Sequence, residues 1–123
     1  MAVDLTYDGM WIHVLFSGTI TAADLTSVMQ SMIEAESHIS PTPNRLVDFE
    51  PSATLAIGFA DMANVAHVRR TLAPANPIRT AIVVHSPTQQ GYARMFQTLN
   101  DDPSITIAVF ADRASALAWL GEG

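Results

Sequence analysis

The chain contains no cysteine and no lysine. The first absence excludes disulfides, thiolate nucleophiles and zinc–thiolate sites. The second excludes a Schiff-base amine and the lysine of a phosphate-binding P-loop. Positive charge is scarce altogether. Six arginines (Arg45, Arg69, Arg70, Arg79, Arg94 and Arg113) face twelve acidic residues, for a net charge of −6. Only Arg69 and Arg70 are adjacent, so there is no basic stripe. Nucleic acid is therefore not an expected partner, because counterion release by clustered cations supplies most of that affinity. Long apolar runs are also missing: the stretch LAIGFA at 55–60 is far short of the roughly 20 residues a membrane-spanning helix needs. The opening MAVDLTYDG shows no basic segment leading into an apolar one, so no leader peptide is expected. These features together predict a cytoplasmic protein without a membrane-inserted segment.

What is present is apolar bulk. The 123 residues are 49% hydrophobic, and the mean hydropathy is +0.22. That length predicts one domain spanning 1–123 with a core of its own.

Local patterns give an order of elements. Apolar runs at 3–7 and 10–16 flank Asp8-Gly9, a strong hairpin signal. Thr21 and Asp24 have the spacing of a capping box. Leu25, Val28, Met29, Met32 and Ile33 then share one helical face. A short strand is expected at 45–49 and a helix at 54–72, followed by a turn at 73–77. The run RTAIVVH at 79–85 reads as a buried parallel strand. Ser86-Pro87-Thr88-Gln89 reads as a second capping box with proline at N1. The last strand is expected at 105–110, and Asp112 caps a C-terminal helix. The order ββαβαβαβα predicts an α/β fold with a mostly parallel five-stranded sheet and an N-terminal hairpin.

Several stretches within this order also resemble a known family. They are the Gly-Thr-Ile-Thr helix start at 18–21, Leu46-Val47-Asp48, and Arg79 leading the strand TAIVV. Arg94-Met95-Phe96 and the run from Val109-Phe110 to Ala116-Leu117-Ala118-Trp119-Leu120 complete the set. Together they resemble the SpoIIAA-like family, bacterial domains related to the STAS domains of anti-sigma-factor antagonists. The resemblance implies a βα-superhelical sheet and a non-enzymatic switch or interaction module. In partner-switching relatives a serine at the start of the second helix accepts a phosphate. The matching segment here makes Ser52 and Thr54 the candidate phosphoacceptors, although Asp48 is followed by Phe49 rather than by serine.

Three functional readings follow from the residues. The preferred one is a bacterial regulatory module, without catalysis, that binds itself as a homodimer or a protein partner through helix 54–72. Leu55, Phe59, Met62 and Ala66 form one apolar stripe of that helix, and Ile57, Val65 and Val68 a second, broken by Asp61. A helix with two apolar faces calls for a covering partner, so Ile57, Asp61, Val65, Val68 and Arg69 are the candidate partner-binding residues. The alternative is a domain binding a small apolar molecule or lipid between sheet and helices. Met29, Met32, Met62 and Met95 would be its adaptable lining, and Asp48, His85, Tyr92 and Arg94 its polar contacts. The third is a hydrolase built on Asp48, His85 and Ser86. No metal or cofactor is expected, since His13, His38 and His67 lack ligand spacing.

Overall fold

The computed structural model describes residues 3–71, 75–100 and 102–121, the side chains of 68–71 excepted. Two antiparallel strands open the chain, β1 (Val3–Tyr7) and β2 (Trp11–Phe16). Their turn holds together for a local reason. The Asp8 carboxylate accepts from the N–H groups of Met10 (2.9 Å) and Trp11 (3.1 Å). Gly9 takes φ 93°, a conformation that a residue without Cβ reaches freely.

A three-residue strand, β3 (Thr19–Thr21), leads into α1 (Ala22–Ser37). The expected capping box is complete: the Thr21 hydroxyl accepts from Asp24 N–H, and the Asp24 carboxylate accepts from Thr21 N–H at 2.8 Å. Next come β4 (Asn44–Phe49), β5 (Thr54–Ala56), α2 (Phe59–Thr71) and β6 (Ile78–Val83). The chain finishes with α3 (Pro87–Leu99), β7 (Ile105–Phe110) and α4 (Arg113–Gly121). Asp112 caps α4, accepting from Ser115 N–H at 2.7 Å.

The main sheet has the order β1-β2-β4-β6-β7, parallel except for β1. Each crossover steps in the same direction. Right-handed connections therefore place α1, α2 and α3 on one face, with α2 packed between the other two. The terminal helix α4 packs on the opposite face, over β4, β6 and β7.

Strand alternation divides the core accordingly. Ile12, Val14, Phe16, Phe49, Ile82 and Ile107 belong to the larger cluster, under the three helices. Leu46, Ala81, Val83, Ala116 and Leu120 form the smaller one under α4. Trp119 joins that smaller cluster, tilted against Phe110 at 5.6 Å and lying under the Arg79 guanidinium at 5.2 Å.

The segment 54–72 departs from expectation. It is a strand followed by a helix that starts only at Phe59. Thr54–Ala56 pairs in parallel with Thr19–Thr21, giving a second, two-stranded sheet. The helix start has no capping side chain. Gly58 occupies the N-cap place, and Asp61 accepts from its N–H at 2.9 Å. The double stripe arose from treating Leu55 and Ile57 as helical, which they are not. On the helix itself Met62 and Ala66 are buried and Val65 half-buried, an ordinary single face. The expected helix end at 72 and the first part of the 73–77 turn lie outside the described residues.

Candidate functional site

Between the sheet and the three-helix layer lies a cavity of about 120 Å³. The sheet supplies Val14, Phe16, Val47 and Ile82, and the helices supply Met29, Met32, Met62, Val65 and Phe96. Three of the four methionines singled out above are therefore on its wall, and Met95 is not. Leu55 and Ile57 reach it from the β5 segment, and Tyr92 from α3. The Tyr92 hydroxyl donates to the Ile57 carbonyl at 2.8 Å, tying α3 to the segment that enters α2.

Its polar residues gather around one register row of the sheet. Ile12, Arg45, Thr80 and Ile107 sit opposite one another on β2, β4, β6 and β7. Two polar residues thus occupy the middle of an otherwise apolar face. Arg45 and Thr80 are buried, at 4% and 5% exposure, and both line the cavity. Arg45 pairs with Glu36 of α1, itself largely buried. Asn100, the C-cap of α3, lines the same cavity and donates to the Ile105 carbonyl at 3.0 Å.

The opposite face carries a second cleft of about 230 Å³, lined by Val14, Leu15 and Leu46 together with Asp4, Thr6, His13, Asp48 and Arg113. Asp48 and Arg113 face each other across it. Asp48 lies 3.3 Å from the His85 ring and 3.8 Å from the Arg113 guanidinium. His13 lies 2.9 Å from Asp8. The Asp8 carboxyl is held below the ordinary aspartate value of 3.8, first by Met10 N–H and then by Trp11 N–H. Asp112 is lowered likewise, chiefly by Ser115 N–H. Among the described residues no three His, Asp or Glu side chains converge as a metal site requires.

No family model matches the chain, and no curated protein matches it in sequence. A solved structure does match in shape. It is an uncharacterized protein of the DUF3478 family with a SpoIIAA-like fold, from Shewanella loihica PV-4. The TM-score is 0.61, and the match covers 97% of this chain and 92% of that one at 17% identity. The fold is SpoIIAA-like. At that identity the likeness carries architecture rather than activity.

On the SpoIIAA-like frame, the residues predicted from sequence fall into separate places. Asp48 and His85 meet each other but not the cavity, because Asp48 alternates to the face opposite Val47 and Phe49. Tyr92 lines the cavity, whereas Arg94 projects to solvent two residues further along α3. The proposed polar contacts therefore do not form one set. The Asp48–His85–Ser86 arrangement does not assemble either: the Ser86 hydroxyl accepts from Gln89 N–H at 3.1 Å as an N-cap, while His85 turns to Asp48.

Ser52 and Thr54 are not at a helix mouth. Ser52 is exposed in a turn closed by Ala53 N–H donating to the Glu50 carbonyl at 2.9 Å, with Pro51 at its favoured second position. Thr54 lies on β5, its hydroxyl 3.3 Å from that of Thr19. Among the proposed partner-binding residues, Ile57 is buried and Val65 faces the cavity, so neither presents an outward surface. Asp61 is occupied with Gly58 N–H. The side chains of Val68 and Arg69 lie outside the described residues. No helix among the described residues is long and apolar enough to cross a membrane.

The residue whose role was missed is Gln89. Its side chain does not close a capping box on Ser86 but accepts from His85 N–H at 2.8 Å. It also donates to the carbonyls of Glu50 (2.9 Å) and Ala53 (3.0 Å).

Proposed function

We propose that this SpoIIAA-like domain binds a small apolar molecule in the cavity between the sheet and α1–α3. The observation that supports it is the cavity itself, roofed by methionines and floored by β-branched and aromatic side chains. A ligand there would remove apolar wall surface from water, at roughly 25 cal/mol per Å². The size sets the ligand class. A cavity of about 150 Å³ admits benzene, so the 120 Å³ here accommodates one ring or a short aliphatic chain.

Toluene is the first probe. Under this reading it raises the thermal midpoint in a concentration-dependent way and shifts the methyl resonances of Met29, Met32 and Met62. Unchanged methyl resonances and an unchanged midpoint near toluene saturation would exclude the reading.

A protein-partner role keeps one independent support. Phe59, the first residue of α2, is 63% exposed. It projects from the helix that meets partners in the switch proteins this chain resembles. Light scattering on wild type and Phe59→Ser tests it: a wild-type dimer that the variant converts to monomer supports the role. A wild-type monomer would leave self-association without basis.

A further inference from the structure

Thr80 is the anomaly in the cavity wall. It is 95% buried, it faces the cavity beside Arg45 on the neighbouring strand, and its neighbours along the same face of β6 are Ile78 and Ile82. Valine, which has the same shape without the hydroxyl, would suit such a position by packing alone. Among the described residues the Thr80 hydroxyl has no hydrogen-bond partner, and it faces the cavity. Of the other polar groups nearby, the Tyr92 hydroxyl bonds the Ile57 carbonyl, Asn100 Nδ2 the Ile105 carbonyl, and Arg45 pairs with Glu36. A hydroxyl in an apolar wall is unfavourable unless something bonds to it.

We infer that the ligand carries one hydrogen-bonding group, a hydroxyl or a carbonyl, and that Thr80 receives it. This inference rests on the cavity being a binding site, as proposed above. The charge of the polar end narrows the choice. The Arg45–Glu36 pair is buried and neutral as a unit. Among the described residues of the cavity wall Arg45 is the single cation and it already faces Glu36, so a carboxylate head would add a negative charge there, and burying an uncompensated charge is strongly unfavourable. The ligand class is therefore a neutral, ring-sized molecule with a single polar substituent, apolar over the rest of its surface.

Phenol and toluene separate the two claims, because they differ by hydroxyl against methyl at nearly equal size. Their dissociation constants are measured by calorimetry or NMR titration on wild type, Thr80→Val and Thr80→Ser. The expected result is that Thr80→Val weakens phenol relative to toluene by roughly three- to tenfold, the worth of one net hydrogen bond. Thr80→Ser, which keeps the hydroxyl, retains the wild-type ratio. An unchanged ratio in Thr80→Val, with toluene still bound, overturns the polar-head inference and leaves the apolar site standing. Failure of both probes to bind wild type overturns both. Should the valine variant not fold, Thr80→Ala removes the same hydroxyl and carries the same comparison.

Discussion

Gln89 donates its side-chain amide to the main-chain carbonyl of Ala53 at 3.0 Å, from a position with no solvent exposure. The same amide serves the Glu50 carbonyl, and the Gln89 carbonyl oxygen serves His85 N–H. One side chain thus satisfies three backbone groups: the N–H four residues before it and two carbonyls 36 and 39 residues before it. It fixes the 50–53 turn against the start of α3, and so fixes where β5 and α2 begin.

Gln89→Leu should therefore destabilise the fold severely. It leaves two carbonyls and one N–H without partners in a dry site, and each such group costs about 1–3 kcal/mol. The expected loss is about 3 kcal/mol, read from the shift of the urea midpoint at unchanged slope. A loss below about 1 kcal/mol would mean that water replaces the amide readily and that the turn is not held by Gln89.

The parts of the fold that could be read from sequence are those with local causes. The Asp8-Gly9 turn, the Thr21–Asp24 box and the Asp112 cap each rest on contacts within a few residues. The run from Leu55 to Ala60 misled because its apolar residues match a strand and a helix about equally well, and Gly58 offers no capping side chain. What decides there is pairing of β5 with β3, 35 residues away in sequence, which no local period encodes. Gln89 was recognisable as the third residue of a helix, but its partners are long-range. The cavity is a property of packing rather than of any motif. Its traces in sequence are the methionines at 29, 32 and 62 and a threonine inside a valine-and-isoleucine strand.

Thr80→Val should stabilise the ligand-free protein. Removing a buried hydroxyl that has no protein partner, at constant shape, relieves a desolvation penalty of about 1 kcal/mol. Thermal unfolding would show this as a midpoint raised by about 4 °C for a domain of this size. A lowered midpoint would indicate that the hydroxyl contributes to stability on its own.

Ala93 is buried on α3 and lines the cavity. Ala93→Leu places an isobutyl group in the empty space. The expected outcome is a folded protein about as stable as wild type, or more stable by about 1 kcal/mol, as cavity volume is recovered. Toluene should no longer bind. Strong destabilisation would mean that the cavity does not extend to this wall, since overpacking a filled core costs about 1–3 kcal/mol.

Acid should loosen two turns before it unfolds the sheet. The Asp8 and Asp112 carboxyls titrate below 3.8 in the folded chain because backbone N–H groups bond their charged forms. A lowered folded value means stability that is present above the unfolded value and is lost as pH falls through the folded one. The window is therefore below pH 3.8. Amide exchange at Met10, Trp11 and Ser115 should accelerate there, and Asp8→Asn and Asp112→Asn should flatten that response at their own sites. Exchange that is indifferent to pH after correction for the intrinsic rate would show that these bonds do not form in solution.

Arg45 and Glu36 supply the last test, because a buried ion pair behaves asymmetrically. Arg45→Met removes the Arg45 cation from the nearly buried Glu36 carboxylate, and breaking such a pair costs about 3–5 kcal/mol. Replacing both partners, Arg45→Met with Glu36→Leu, removes that carboxylate as well and exchanges two desolvated ions for apolar contact with the cavity wall. Such replacements are often neutral or stabilising. The double variant should therefore recover most of the single variant's loss in urea unfolding. It should also bind toluene at least as well as wild type, since the neighbouring cavity becomes more apolar. If the single and double variants are equally unstable, the pair's value lies in other bonds that Arg45 makes, and the two side chains are not acting as a unit. If the double variant is stable but has lost toluene binding, the new side chains have filled the cavity, and smaller replacements at 36 and 45 should bring binding back.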